Sequence, residues 1–319
     1  MDKFDNNFRL PGGHSPSLSA IIALIVSLLG FFAIGPLVGL LLAIPFYDGP
    51  VLEFSQGLTD PLASPKFKLP LFIIQGSATL VGLFVVPAIY MYAREKVSIK
   101  SFFAKPLGIM PWLITGIVTV TFMTVNAVFI EWNLNVSFPE FMKGFESWAR
   151  QTEEAAAKMT EYLTAFDSFS QFMVAFFVIA VFAALGEELV FRGIMQNMIH
   201  KANGNIHIAI WLSAVLFSAI HFQFFGFVPR VLLGALFGYL YYWSGNLWIP
   251  IFAHFINNGF TLVMIYLYNL GQVNFDIENS EPPSLMAVVL FAIITAGLLF
   301  YFRNHFLKNN PDEQMAEGV

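Results

Sequence analysis

Apolar runs near 20 residues, almost free of charge, recur along the whole length of this chain. At about 1.5 Å rise per residue, such a run matches the ~30 Å hydrocarbon core of a bilayer. Inside lipid every backbone N–H and C=O must be satisfied by the chain itself, which leaves helices or a closed barrel. Runs this long are helices, not barrel strands of about ten residues. Eight spans can be marked, at roughly 18–46, 69–93, 109–130, 169–200, 206–222, 227–243, 247–269 and 285–303. The expected fold is all-α, a polytopic membrane bundle of about eight transmembrane helices.

Composition agrees. Only 12% of the 319 residues are charged and 57% are hydrophobic, whereas a soluble domain carries about 25% charged residues. Mean hydropathy is +0.68. No basic stripe suggests nucleic acid. Cysteine is absent, which excludes disulfides, Cys-ligated zinc and a cysteine nucleophile. Residues 1–16 are polar, and the apolar run after them is too long for the roughly 7–15-residue core of a cleaved signal. That run is read as the first transmembrane helix.

Three regions follow. Residues 1–168 form an N-terminal three-helix membrane region with a polar insertion at 131–168. Residues 169–270 form a core, and 271–319 hold the last span and a tail. In the insertion, Phe145, Trp148, Ala155, Met159, Tyr162 and Phe166 recur at helical spacing. This is an amphipathic helix lying on the bilayer, or, in a sharper reading, a lid over a substrate entrance. The fourth span continues through Gly186 as one long helix, with Gly186 the place for a kink. Lys and Arg set orientation. With the N-terminus cytoplasmic, Lys3, Arg9, Arg94, Lys96, Lys100, Lys105, Lys201, Arg303 and Lys308 lie inside, and Lys66, Lys68, Lys143, Arg150 and Lys158 outside. Arg192 and Arg230 lie within spans and are not counted. The expectation is a multi-pass protein of the plasma or inner membrane with both termini cytoplasmic.

Ionisable groups at membrane depth are expensive and mark function by default. Glu187, Glu188 and Arg192 sit in the fourth span, and His221 and His254 in later ones. Counting about 1.5 Å per residue from the turns at 201–205 and 245–246 puts Glu187 about 20 Å deep, His221 about 22 Å, His254 about 12 Å and Asn258 about 18 Å. Three helices thus place rare polar groups in one slab. Glu188 and Arg192 are spaced i, i+4 and can pair, either as a structural ion pair or as part of the chemistry. Glu187 points about 100° away and has no partner at helical spacing, which suits a general base. His254 and Asn258 share one face, as do Phe217 and His221. Asn257 lies off that face. His14, His200, His207 and His305 lie near span ends or in polar segments.

At these residues the chain resembles a known family. GEELVFRG (186–193) matches an EExxxR motif, FSAIH (217–221) an FxxxH motif and HFINN (254–258) an HxxxN motif. Their order and spacing are similar to the CPBP intramembrane proteases, also called the Abi or CAAX prenyl protease 2 family. The resemblance covers roughly 170–270. It implies an eight-helix bundle with a catalytic cavity within the membrane, and peptide-bond hydrolysis by an activated water. It implies Glu187 as general base, Glu188 as accessory carboxylate and Arg192 as the residue orienting the glutamate helix. His221 helps hold the water, and His254 with Asn258 stabilises the oxyanion. The partners it implies are the bilayer and a peptide or protein substrate, with membrane-associated or lipidated substrates in the family's range. A metal-free mechanism is favoured. The alternative is a catalytic zinc on His221, His254 and Glu187 or Glu188, which would supply three protein ligands. Two further readings compete with an endopeptidase. One is a non-proteolytic membrane immunity or binding protein on the same scaffold. The other is a transporter with Glu187 in a proton relay, although the internal symmetry common in transporters is not visible.

Overall fold

The structure is a computed structural model that describes residues 15–274 and 283–308. Lys3, Arg9 and His14 lie outside the described residues. Among the described residues there is no strand, and seven helices are long and apolar enough to cross a membrane. They are α1 (Pro16–Phe46), α2 (Pro65–Ala93), α3 (Ile109–Leu134), α5 (Phe169–Asn203), α7 (Phe227–Ser244, entered by a short turn at Phe224–Gly226), α8 (Trp248–Asn269) and α9 (Leu285–Lys308). Between them lie α4 (Lys143–Thr164) and the shorter apolar α6 (Ile206–Ala219). The fold is the expected polytopic helix bundle.

The fifth expected span, 206–222, is corrected. The α6 helix stops at Ala219, and its 14 residues reach only about 21 Å, short of the ~30 Å core. The physical cause is a tight reversal. The amides of His221 and Phe222 bond back to the Ser218 and Ala219 carbonyls at 3.3 and 3.1 Å, and Phe222 adopts φ 55°, a left-handed conformation that a bulky residue rarely takes. The Ser218 hydroxyl donates to the Phe227 carbonyl at 2.8 Å, tying α6 to the start of α7. His221 therefore sits in a turn after α6, not on a helix. At the other end Asn205 caps α6, its side chain accepting from the amides of His207 and Ile208.

Gly186 itself lies in regular helix. Residues Ala183–Glu188 form one regular α-helical segment of α5. The distortions lie on either side, as wide π-type turns over Phe176–Phe182 and Leu189–Gln196. Such turns are rare and often accompany functional sites. Gly186 serves packing instead: a Cβ there would come within 2.9 Å of the Thr79 carbonyl on α2.

The α5 helix is the centre of the bundle, packed against α1, α2, α6, α7 and α8. The α3 helix packs on α7, α8 and α9, and α9 is the least buried of the long helices. Helices α1 and α2 touch backbone to backbone where Gly30 meets Gly82, and a Cβ on either would overlap the other's carbonyl. Small residues that let backbones meet are the usual way membrane helices associate.

The polar insertion forms α4 as its spacing suggests. Part of its apolar face meets protein. Phe145 packs edge-on against Phe138 and Phe224, and the Arg150 guanidinium lies 4.5 Å from the Phe225 ring centre. The helix therefore rests on the turn that follows His221.

Candidate active site

Glu188 is fully buried at 0% exposure, and Arg192 at 1%. Removing charges from water this completely costs several kcal/mol per ion unless they are paired and hydrogen-bonded. The sequence meets that requirement one helical turn away: Arg192 Nη1 donates to Glu188 Oε1 at 2.8 Å. The second guanidinium nitrogen donates to the Gly234 carbonyl on α7 at 2.9 Å. One turn further on, Gln196 Nε2 donates to the Gly238 carbonyl at 3.1 Å. Two i, i+4 side chains on α5 thus meet two i, i+4 carbonyls on α7. Glycine at 234 and 238 leaves the space, since a Cβ would come within 3.1 Å of Arg192 Nη2 and 2.9 Å of Gln196 Oε1. The rings of Phe217 and Phe237 complete the pocket, with centres 4.6 and 5.4 Å from the guanidinium carbon, within cation–π range.

His254 on α8 joins the two glutamates. Its Nδ1 lies 2.7 Å from Glu188 Oε1 and its Nε2 lies 3.8 Å from Glu187 Oε2. An ionised carboxylate only accepts hydrogen bonds, so the proton on Nδ1 faces Glu188 and Nε2 is left toward Glu187. The imidazole is 4% exposed and stacks on Phe237 at 5.4 Å. The Glu187 side chain is 14% exposed, against 0% for Glu188. The expectation that Glu187 lacks a partner holds only along its own helix, because its cross-helix neighbour His254 is invisible to helical spacing. Glu188 keeps one oxygen, Oε2, buried without a hydrogen-bond partner.

His221 and Asn258 stand one step away, with no hydrogen bond to either glutamate or to His254. His221 Nδ1 lies 2.8 Å from the Phe217 carbonyl. A carbonyl accepts, so Nδ1 carries the proton and Nε2 can accept from a water. The Phe217 ring lies 5.2 Å from His221 and 6.1 Å from His254, edge-on to both. Asn258 Nδ2 donates to the Ile179 carbonyl in the π-type stretch of α5 at 2.9 Å. Its Oδ1 accepts from Asn257 Nδ2 at 3.0 Å. Asn257, which lay off the His254 face in the sequence, thus orients its neighbour's amide, and one N–H of Asn258 remains for a ligand.

Three other residues are added by the structure. Gln223, in the turn after His221, receives Arg230 Nη2 on its Oε1 at 2.9 Å and donates its Nε2 to Glu153 Oε1 of α4 at 3.2 Å. Arg230 was visible in the sequence as an arginine inside an apolar span, the same signal that singled out Arg192. Gln223 and Glu153 carried no such mark.

The zinc alternative requires His221, His254 and a glutamate to converge. Among the described residues no group of three or more His, Asp or Glu side chains is placed to hold a metal ion. As placed, these side chains do not converge on one metal position.

Comparison with known proteins bears on the same segment. Residues 169–260 match a family model described as type II CAAX prenyl endopeptidase Rce1-like. A Bacillus subtilis (strain 168) protein named "Uncharacterized protein YpbD" is 35% identical over 77 residues, covering 23% of this chain and 36% of the relative. "Putative membrane peptidase YdiL", also of Bacillus subtilis (strain 168), is 31% identical over 78 residues, 24% of this chain and 32% of the relative. The alignments span about a third of each curated relative. No solved structure matches the chain. The matched segment contains Glu187, Glu188, Arg192, His221, His254 and Asn258, so every residue of the candidate site lies in the part of the chain that is similar to the type II CAAX prenyl endopeptidase family.

Proposed function

We propose that this protein is an intramembrane endopeptidase of the CAAX protease type, hydrolysing a peptide bond with a water activated by Glu187. The observation that carries the reading is the run Glu187–His254–Glu188–Arg192. A partly exposed carboxylate faces an imidazole at 3.8 Å, and the far side of that imidazole is fixed at 2.7 Å by a buried, arginine-locked carboxylate.

Glu187 takes a proton from water, and the water oxygen attacks the peptide carbonyl carbon. The resulting oxyanion needs donors held in place beforehand. The free N–H of Asn258 supplies one. His254 Nε2, which faces Glu187 at 3.8 Å, supplies another when the ring is doubly protonated. His221 Nε2, with Nδ1 held by the Phe217 carbonyl, accepts a hydrogen bond from the attacking water. Collapse of the intermediate breaks the C–N bond, and the proton held by Glu187 passes to the leaving amine. Glu188 and Arg192 act as positioning residues for His254. The substrate is a peptide or protein segment that reaches the site from the bilayer or its surface.

One contact favours a second reading. A carboxylate on His254 Nδ1 is the arrangement that makes an imidazole a base at Nε2, with Glu187 then orienting the water.

The test is cleavage by purified protein in liposomes, read by mass spectrometry on a peptide library in water enriched in oxygen-18. One heavy oxygen in each new carboxyl group is expected, with no covalent peptide adduct on the enzyme, and activity that survives chelation. A trapped acyl-enzyme would overturn the activated-water mechanism. Loss of activity on chelation with recovery on added zinc would overturn the metal-free one.

A further inference from the structure

Arg230 is held unlike Arg192. Arg192 is matched by a carboxylate and a carbonyl. Arg230 donates only to the neutral Gln223 amide oxygen, its Nη1 is buried with no hydrogen-bond partner, and among the described residues no carboxylate lies within ion-pair distance of it. A buried guanidinium is costly unless its donors are met. Arg230 is also the fourth residue of α7, the end of a helix where a cation is electrostatically disfavoured and an anion favoured. Space is kept for the guanidinium by Gly226, where a Cβ would come within 2.8 Å of Arg230 Nη2. The position is close to the chemistry, because Gln223, which holds Arg230, is two residues beyond His221.

Across Gln223 stands Glu153 of α4. Its Oε1 takes the Gln223 amide, while its Oε2 is buried and unpartnered. Glu153 and Arg230 meet through Gln223 and do not pair directly. One cation and one anion are therefore held near each other, each with an unmet hydrogen-bonding group, bridged by a neutral side chain beside the candidate active site.

We propose that Arg230 is a substrate-binding residue that takes a carboxylate of the peptide substrate, with Gln223 and Glu153 occupying its surroundings until that carboxylate arrives. The proposal rests on the protease reading. A carboxylate offers two acceptor oxygens to the guanidinium fork, the geometry that makes arginine–carboxylate pairs strong. The source is either the C-terminal carboxylate of the peptide or an Asp or Glu side chain. Glu153 is the built-in competitor, so its removal should favour the substrate.

The experiment uses a quenched fluorescent peptide that the wild type cleaves, in three forms: free acid, C-terminal amide, and acidic side chains replaced by amides. Arg230→Gln should raise KM about tenfold or more on the free acid, the size of one charge-assisted hydrogen bond, with kcat within about threefold. The effect should vanish on the form that lacks the bound carboxylate, and that form names the source. Arg230→Lys should recover part of the loss, and Glu153→Gln should lower KM. The same labelled peptides are titrated against the inactive Glu187→Gln protein by fluorescence anisotropy, which reads binding without turnover. A wild type that cleaves nothing would count against the protease reading, while the binding series still decides the subsite. Equal binding of all three peptide forms, or an Arg230→Gln effect of the same size on all three, would overturn the proposal.

Discussion

Removing the Arg192 guanidinium should be among the most damaging single changes in this protein. Arg192→Met keeps most of the side-chain volume and deletes two hydrogen bonds, to Glu188 at 2.8 Å and to the Gly234 carbonyl at 2.9 Å. Glu188 then stays at 0% exposure with His254 as its remaining partner, and solvent cannot screen the loss. Breaking a buried pair by removing one partner costs about 3–5 kcal/mol. Glu188→Gln removes the charge from the other side. In the double variant neither charge is buried, so the damage should fall well short of the sum, with a coupling on the order of 1–3 kcal/mol. The assay is reversible unfolding in mixed micelles of the four proteins of the cycle. A coupling below about 0.5 kcal/mol, with single variants each within about 1 kcal/mol of wild type, would refute the argument that this pair locks the α5–α7 contact.

Other outcomes follow from the same contacts. Gly234→Val forces atoms into space already tight at 3.1 Å from Arg192 Nη2 and Ala214 Cβ, and should destabilise by about 1–3 kcal/mol. Gly297→Ala, with nothing near a Cβ, should unfold at the wild-type temperature in the same thermal assay. His254→Ala should lower kcat by about 10²–10⁴-fold, the range for losing one acid–base group. Free imidazole that restored part of the rate would support a direct chemical role, and an unchanged kcat would exclude one.

Much of the bundle was legible because membrane helices obey a single strong rule of length and apolarity. The long spans fell within a few residues of their expected limits. The exception, 206–222, failed for a local reason. Its apolar composition runs on to Phe222, but the chain reverses there through a left-handed phenylalanine, and composition does not report φ. Within the site, the Glu188–Arg192 pair could be read because i, i+4 neighbours are set by helix geometry alone. The Glu188–His254 contact joins residues 66 apart, and the carbonyls that hold Arg192 and Gln196 lie 42 residues away. No periodicity encodes such contacts. Gly234 and Gly238 were a partial clue, since small residues four apart in a membrane helix mark a close neighbour. Glu153 was hidden for another reason: in a soluble-looking insertion, one acid among several on an amphipathic helix looks like solvated surface.

The most direct test of the central claim is kcat/KM of Glu187→Gln against wild type, in liposomes, on a peptide that the wild type cleaves. The substitution keeps the shape of the side chain and removes only its ability to take a proton. A fall of about 10²–10⁴-fold, with thermal unfolding unchanged within a few degrees, is the result expected if Glu187 activates the water. Activity within tenfold of wild type would contradict that role and leave His254, held by Glu188, as the base.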